Sequence, residues 1–201
     1  MQLICMYQKF KVRFMSTRSD LLTTAELLLR TKGYAAFSYA DLADEIGIKK
    51  ASIHHHFPTK EGLGIAVIES YLFRFEKNLE LINEENSDTV VRLNEFCKLF
   101  VDSSKNGMLP LCGALAAELS ALPDSLKELT RKFFEIHLAW LESNLVLGQS
   151  ENVIKADVNP KAVSRAILSL LEGSSFVSWA LSETVFDQSG FDLILNGIIV
   201  S

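Results

Sequence analysis

The chain has 201 residues, 48 % of them hydrophobic, and a formal net charge of −5, enough apolar material for one or two helical domains with a real core. An acidic total excludes a uniformly basic nucleic-acid binder, but the charge is uneven: residues 1–60 hold nine Lys/Arg against five Asp/Glu, and residues 61–201 hold eleven against twenty. A net of +4 at one end and −9 on the rest points to an anionic partner at the N-terminal end alone.

The first fourteen residues, MQLICMYQKFKVRF, lack the long apolar core and small-residue cleavage site of a signal peptide. Met15 opens MSTRSDLL just before a helical pattern, so residues 1–14 read as an upstream extension that contributes little to the fold. Leu21, Leu22, Ala25, Leu28 and Leu29 then recur at helical spacing, and Gly33 supplies the stop. Ser38 to Asp41, SYAD, is a capping box, and Leu42, Ala43 and Ile46 form the inner face of the short helix it opens, which ends at Gly47. Ile53 and Phe57 face inward from the next helix, which Pro58 stops. Thr59 caps a long helix with Ile68, Leu72, Phe75, Leu79 and Ile82 on one stripe.

Helical patterns continue to the end of the chain. One runs from about Asp88 to Lys105, a short one covers GALAAELS, and one introduced by Ser120 and Pro123 carries Leu126, Leu129, Phe133, Ile136 and Trp140 on one side. Asn159-Pro160 opens a helix to about Leu181, and a last one spans about Phe191 to Val200. No strand pattern or internal repeat stands out, so the expected fold is all-α with about nine helices. No apolar run reaches the roughly 18–20 residues of a membrane span, and no membrane partner is expected. Cys5, Cys97 and Cys112 show no disulfide or zinc spacing, which fits a reducing cytoplasm.

The stretch IKKASIHHHFPTKEGL holds three adjacent histidines. Consecutive helical residues are rotated by about 100°, so His54, His55 and His56 do not share one ion, and no Cys, Asp or Glu stands nearby at ligand spacing. There is no nucleophile elbow, phosphate-binding glycine loop or acid/base pair. The expectation is no metal, no cofactor and no catalytic site. Two readings stay open on these residues alone, an anion-binding site and a solvated, locally basic turn. Two short helices joined through Gly47 make a helix-turn-helix, whose second helix turns Lys49, Lys50, Ser52, His55 and His56 outward. Lys60 at the start of the next helix opposes the helix dipole, a conflict that a docked phosphate would relieve.

The run LLTTAELLLRTKGYAAFSYADLADEIGIKKASIHHHFPTKEGL, residues 21–63, resembles the DNA-binding region of the TetR/AcrR family of transcriptional regulators. The resemblance covers the helix ending at KGY, the Ser-capped DLADEIGI, the recognition helix KKASIHHHF and the following K-E-x-L. It implies a three-helix DNA-binding bundle over residues 15–62 and a helical ligand-binding and dimerisation domain over residues 63–201. By position it implies phosphate contacts from Ser38, Tyr39 and Lys60, base or phosphate contacts from Lys49, Lys50 and Ser52, and a groove or backbone contact from His55. His54 stands where the family usually has tyrosine, and as a DNA-contacting residue it would donate to a phosphate from its ring.

The resemblance further implies a homodimer on a double-stranded operator, acting as a repressor released by a small effector. In the C-terminal part Cys97, Phe100, Met108, Cys112, Phe133, His137, Trp140 and Phe176 are large or soft groups on apolar faces, which suit a small, largely apolar effector. Each also suits an ordinary core; His137 reads as a core histidine or a ligand contact, and Cys112 as an inert or a reactive thiol. The helices near the end are apolar on more than one face, with Ala162, Ala166, Ile167, Leu170, Leu171, Gly173, Ser174, Ile194, Ile198 and Ile199, as an isologous four-helix interface requires. The competing reading is a small helical enzyme or ligand carrier whose N-terminal module only resembles a DNA-binding domain.

Overall fold

The computed structural model of the protein describes residues 17–183 and 185–200, so the expected extension over residues 1–14 lies outside the described residues. Nine α-helices occur among them: α1 (Thr17–Lys32), α2 (Tyr39–Ile46), α3 (Lys50–His56), α4 (Lys60–Glu85), α5 (Thr89–Lys105), α6 (Leu111–Ala117), α7 (Asp124–Ser150), α8 (Pro160–Ala180) and α9 (Ser189–Ile198). A single 3-10 turn, Leu119–Ala121, separates α6 from α7. The only β pairing among these residues is an isolated bridge between Ile154 and Ile199.

The head is α1 to α3. Leu21, Ala25, Leu28 and Leu29 on α1 meet Leu42 and Ala43 on α2 and Ile53 on α3, all buried. Ser38 caps α2 through both halves of the capping box: its hydroxyl accepts from Ala40 N and Asp41 N, while Asp41 accepts from Ser38 N at 2.8 Å. Gly47 ends α2 at φ +76°, a left-handed conformation that a residue with a Cβ adopts only with strain, and its N–H donates to Ala43 O at 2.9 Å. That turn sets α3 across α2.

Helix α4 spans 26 residues and belongs to both halves of the molecule, packing on α1 at one end and along α7 further on. Leu72, Phe75 and Leu79 are buried, as their spacing predicts, whereas Ile82 is half-buried. The body is a bundle in which α7 packs along α8 and α4, and α5 packs against α7 and α8. Its centre is aromatic: the His137 ring stacks on Phe75 at 4.1 Å between centroids, and Phe96 stacks on Trp140 at 5.2 Å.

The boundaries differ from the sequence expectation at two places. The helix expected from Ser120 begins at Asp124, because the segment first makes the 3-10 turn and Pro123 cannot continue a ladder. The double-faced character of the late helices also divides differently. Ile167 and Leu171 are 0 % exposed and Ile198 only 7 %, so they belong to the body's own core. The outward stripe runs instead through Ala162, Ala166, Gly173, Val177 and Leu181, continuing with Val185, Leu193 and Val200. The reason is phase: on α8, residues four apart from Ile167 and Leu171 face α7, and the positions between them face outward.

Candidate nucleic-acid interface and ligand groove

Helix α3 presents its outer side as the sequence predicts. Ile53 and Phe57 are buried, and Lys49, Lys50, Ser52, His54, His55 and His56 are exposed. Lys49 is the N-cap of α3 and makes no side-chain capping bond, so its ammonium projects from the helix entry. The histidines do not simply diverge. The His55 and His56 rings meet edge to face at 5.4 Å, while His54 turns away to the Tyr39 ring at 4.8 Å, with its Nδ1 3.4 Å from Pro58 O. His54 is therefore tied to the loop that follows α3, and His55 and His56 are the pair that faces outward.

All three expected phosphate-contacting groups, Ser38, Tyr39 and Lys60, have partners within the chain. Tyr39 Oη donates to Phe57 O at 2.8 Å, which pins the end of α3 to the start of α2. Lys60 Nζ donates to Phe37 O at 2.6 Å and lies 4.7 Å and 4.6 Å from the Tyr34 and Phe37 ring centroids. Burial pulls the Lys60 ammonium below its ordinary pKa, and the nearby Glu118 and Asp41 carboxylates oppose that. The conflict between Lys60 and the α4 dipole is thus already relieved inside the molecule, by carbonyl oxygens and ring faces. Ser38 stays exposed, with its hydroxyl donating to Asp41 at 2.6 Å.

The head and body are joined by two polar clamps. Arg30, 6 % exposed at the end of α1, donates from Nε to Leu109 O at 2.7 Å and from Nη2 to Ser103 Oγ at 2.9 Å, and pairs with Glu26. Glu118, the C-cap of α6, accepts from Ala35 N at 2.8 Å in the α1–α2 loop. The same loop is therefore held by Glu118 from one side and by Lys60 from the other.

A groove of about 650 Å³ lies in the body between α6, α7 and α8. Phe134, Leu138, Leu168 and Phe176 supply apolar wall, with Gly113, Ala116 and Ala117 of α6 on one side and Arg131, Glu135 and Arg165 among the polar lining. Of the eight residues expected around an effector, only Phe176 lines it. Phe100, Cys112, Phe133 and His137 surround an interior void of about 10 Å³, barely room for one water. Cys97 is buried in the core, and Trp140 is stacked on Phe96. Met108 lines two other surface depressions of about 260 and 310 Å³. The aromatic residues expected as pocket lining pack against one another in the body's core.

His137 is 2 % exposed, with its Nδ1 2.7 Å from Phe133 O, and burial holds its pKa down to about 4, so it is a neutral core histidine. Cys112 is buried and donates from Sγ to Glu172 Oε1 at 2.7 Å. Burial and then the neighbouring carboxylate push its thiol well above the ordinary range, so the sulfur is protonated and shielded, the opposite of a reactive thiolate. Glu172 was missed at the level of sequence. It is 9 % exposed, burial raises its pKa to about 7, and its Oε2 has no hydrogen-bond partner among the described residues. The signal was present: Glu172 is the only acidic residue in the 21 residues of α8 and follows the apolar run AILSLL.

Comparison with known proteins agrees with this architecture. Residues 21–67, which span the head and the start of α4, match the model of "Bacterial regulatory proteins, tetR family". Over 92 % of the chain and 96 % of its counterpart, the fold is similar to a TetR transcriptional regulator from Legionella pneumophila, with TM-score 0.80 and 28 % identity. Among curated relatives, an HTH-type transcriptional regulator in the lacX 3′ region of Lactococcus lactis is 24 % identical over 89 % of this chain and 91 % of its own. The HTH-type transcriptional repressor NemR of Escherichia coli is 24 % identical over 79 % of this chain and 82 % of its own. The capped α2, the glycine turn and the outward basic α3, together with these matches, make residues 21–67 a tetR-type DNA-binding region, on a chain whose whole fold is similar to that of a TetR transcriptional regulator.

Proposed function

We propose that the protein is a homodimeric repressor that leaves its operator when a small molecule binds the C-terminal body. The observation that carries the DNA half is the α3 surface: Lys49, Lys50, Ser52, His55 and His56 exposed on one short helix that Ile53 and Phe57 anchor to the core. Such a helix enters the major groove with its N-terminal residues toward base edges. In this reading Lys50 and Ser52 read bases, while Lys49, His55 and Ser38 meet bases or phosphates. Tyr39, His54 and Lys60 act mainly by holding α3 and the α1–α2 loop in place, with the rim of each still near the backbone. Repression rather than activation is supported by relatives described as repressors, NemR among them.

The dimer half rests on the outward stripe of α8 and α9. Val177, Leu181, Val185 and Leu193 are 57 %, 64 %, 75 % and 76 % exposed, an apolar concentration that a second copy would cover. Two-fold symmetry then sets two α3 helices against two half-sites of a pseudo-palindrome. The release half rests on α6. Its glycine and alanines line the groove, and its C-cap Glu118 grips the head, so a ligand that shifts α6 moves the α1–α2 loop. Coupling of about 1–3 kcal/mol, roughly 5–150-fold in operator affinity, is the usual range for such an arrangement.

Selection of bound fragments from the source genome tests the reading. It should return one pseudo-palindromic sequence, and Lys50→Ala or Ser52→Ala should change the preferred bases within each half-site. Fragments without a shared sequence, or an unchanged preference in both variants, would contradict it.

A further inference from the structure

The groove between α6, α7 and α8 is dominated by apolar side chains, yet it contains one deeply buried acid. Glu172 Oε1 is occupied by the Cys112 thiol, whereas Oε2 is buried and unpartnered among the described residues. Gly113 makes room for it: a Cβ at that position would collide with Glu172 Oε2 and press on Phe176. A buried acceptor left without a donor costs on the order of 1–3 kcal/mol, a cost that a donor brought by a ligand removes. The volume of about 650 Å³ falls within the range of small-molecule sites, and Phe134, Leu138, Leu168 and Phe176 offer it apolar contact.

We propose that this groove binds an organic cation with an apolar body, whose protonated amine donates to Glu172 Oε2. The proposal rests on the reading of the body as an effector domain and names the ligand class. Depth decides the sign of the ligand's charge. The lining holds two arginines and two glutamates, but Arg131 and Arg165 are exposed and Arg131 already pairs with Glu128, whereas Glu172 is buried. An ion at the rim is screened by water; an ion in the floor is not, so Glu172 sets the preference. Protonated amine and carboxylate make a charge-assisted bond, stronger than the one an alcohol could offer the same oxygen. The apolar wall then holds the body of the ligand against α7 and α8, and its edge against α6.

The experiment is calorimetric titration of the full chain, without DNA, with decylammonium, 1-decanol and decanoate, three probes that share one tail and are used below their aggregation limits. Decylammonium should bind at least tenfold more tightly than decanol, with decanoate weakest. Glu172→Gln should bring decylammonium to within about twofold of decanol. Tightest binding by decanoate, binding of none of the three, or a preference unchanged in Glu172→Gln would overturn the proposal. If Glu172→Gln does not fold, Phe176→Trp serves instead: it fills the groove and should abolish decylammonium binding, and undiminished binding would overturn the proposal. Operator affinity measured in parallel separates the two readings. Loss of the amine preference with intact sequence-selective DNA binding sinks only the ligand class, and amine binding by a chain that selects no DNA sinks only the regulatory reading.

Discussion

The α3 surface and the α6–α7–α8 groove handle polar groups in opposite ways. On α3 the lysines and the His55–His56 pair stand in water, and the groups behind them, Ser38, Tyr39 and Lys60, are satisfied by neighbours close in sequence or in the adjoining loop. In the groove one carboxyl is buried and half-satisfied, and its one partner among the described residues, Cys112, stands 60 residues away on α6. A surface that meets a partner already rich in charge costs nothing while unoccupied. A buried unpaired oxygen does, and so it marks a place where the molecule gains by binding something. Between the two regions stands α6, seven residues long, with one side in the groove and its C-cap on the head.

The sharpest way to break this comparison is to exchange the buried and outward faces of the late helices. Leu171→Glu places a charge at a 0 % exposed site and should unfold the body, a loss of more than about 4 kcal/mol in denaturant titration. Leu193→Glu, at 76 % exposure, should leave the fold within about 0.5 kcal/mol of wild type while light scattering shows monomer. A Leu193→Glu protein that is still a dimer would move the interface elsewhere.

The clamp between head and body comes next. Arg30→Met removes the donors that satisfy Leu109 O and Ser103 Oγ and should cost about 2–3 kcal/mol, since hydrogen bonds from a charged group are involved. Its effect should appear both in thermal unfolding and as weaker operator binding, although Arg30 is far from the face of α3. Unfolding alone, with operator affinity intact, would uncouple the clamp from the head.

Glu172 gives a pH signature. Burial raises its carboxyl from the ordinary 4.5 to about 7 in the fold, so between those values the native state holds more protons than the unfolded chain, and stability falls as pH rises. Glu172→Gln should therefore raise stability at pH 8 by about 1–3 kcal/mol and remove that slope. His137 acts in the other direction. Its pKa drops from 6.5 to about 4, so its contribution is present above the ordinary histidine range and is lost as pH falls toward 4. With glutamine at 172, the remaining pH dependence between 4 and 6.5 should be a rise in stability with pH. A flat profile in that variant would mean that His137 is solvated.

The smallest expected effect is at the helix cap. Ser38→Ala removes the hydroxyl that accepts from Ala40 N and Asp41 N, and should cost about 1 kcal/mol of stability, read from the denaturation midpoint.

The contrast also explains what could be read from the sequence. The head was legible because its determinants are local: Ser38 and Asp41 are three apart, Gly47 must turn left-handed, and Ile53 and Phe57 are four apart on α3. The body's helices were legible from their spacing for the same reason. The groove was not, because Gly113, Leu138 and Glu172 meet only when three helices assemble, and no local pattern encodes that meeting. Aromatic residues carry two readings for the same reason: Phe133, His137 and Trp140 lie on apolar helix faces whether they border a ligand or, as here, pack on Phe96 and on one another. The phase of α8 misled for a related reason. A helix with apolar groups on two faces does not say which face is its own core, and the answer at Ile167 and Leu171 came from where α7 lies.

The central claim is that α3 reads DNA through its lysines, and the salt dependence of binding tests it most directly. Fluorescence anisotropy on the selected fragment would compare wild type with a Lys49→Ala/Lys50→Ala double variant; both positions are exposed, so the fold should persist. Wild-type affinity should fall steeply with salt, and the slope of log K against log salt should flatten by up to roughly two units in the variant, according to how many of the two lysines meet phosphate. A folded double variant that matches wild type in both affinity and slope would contradict the claim.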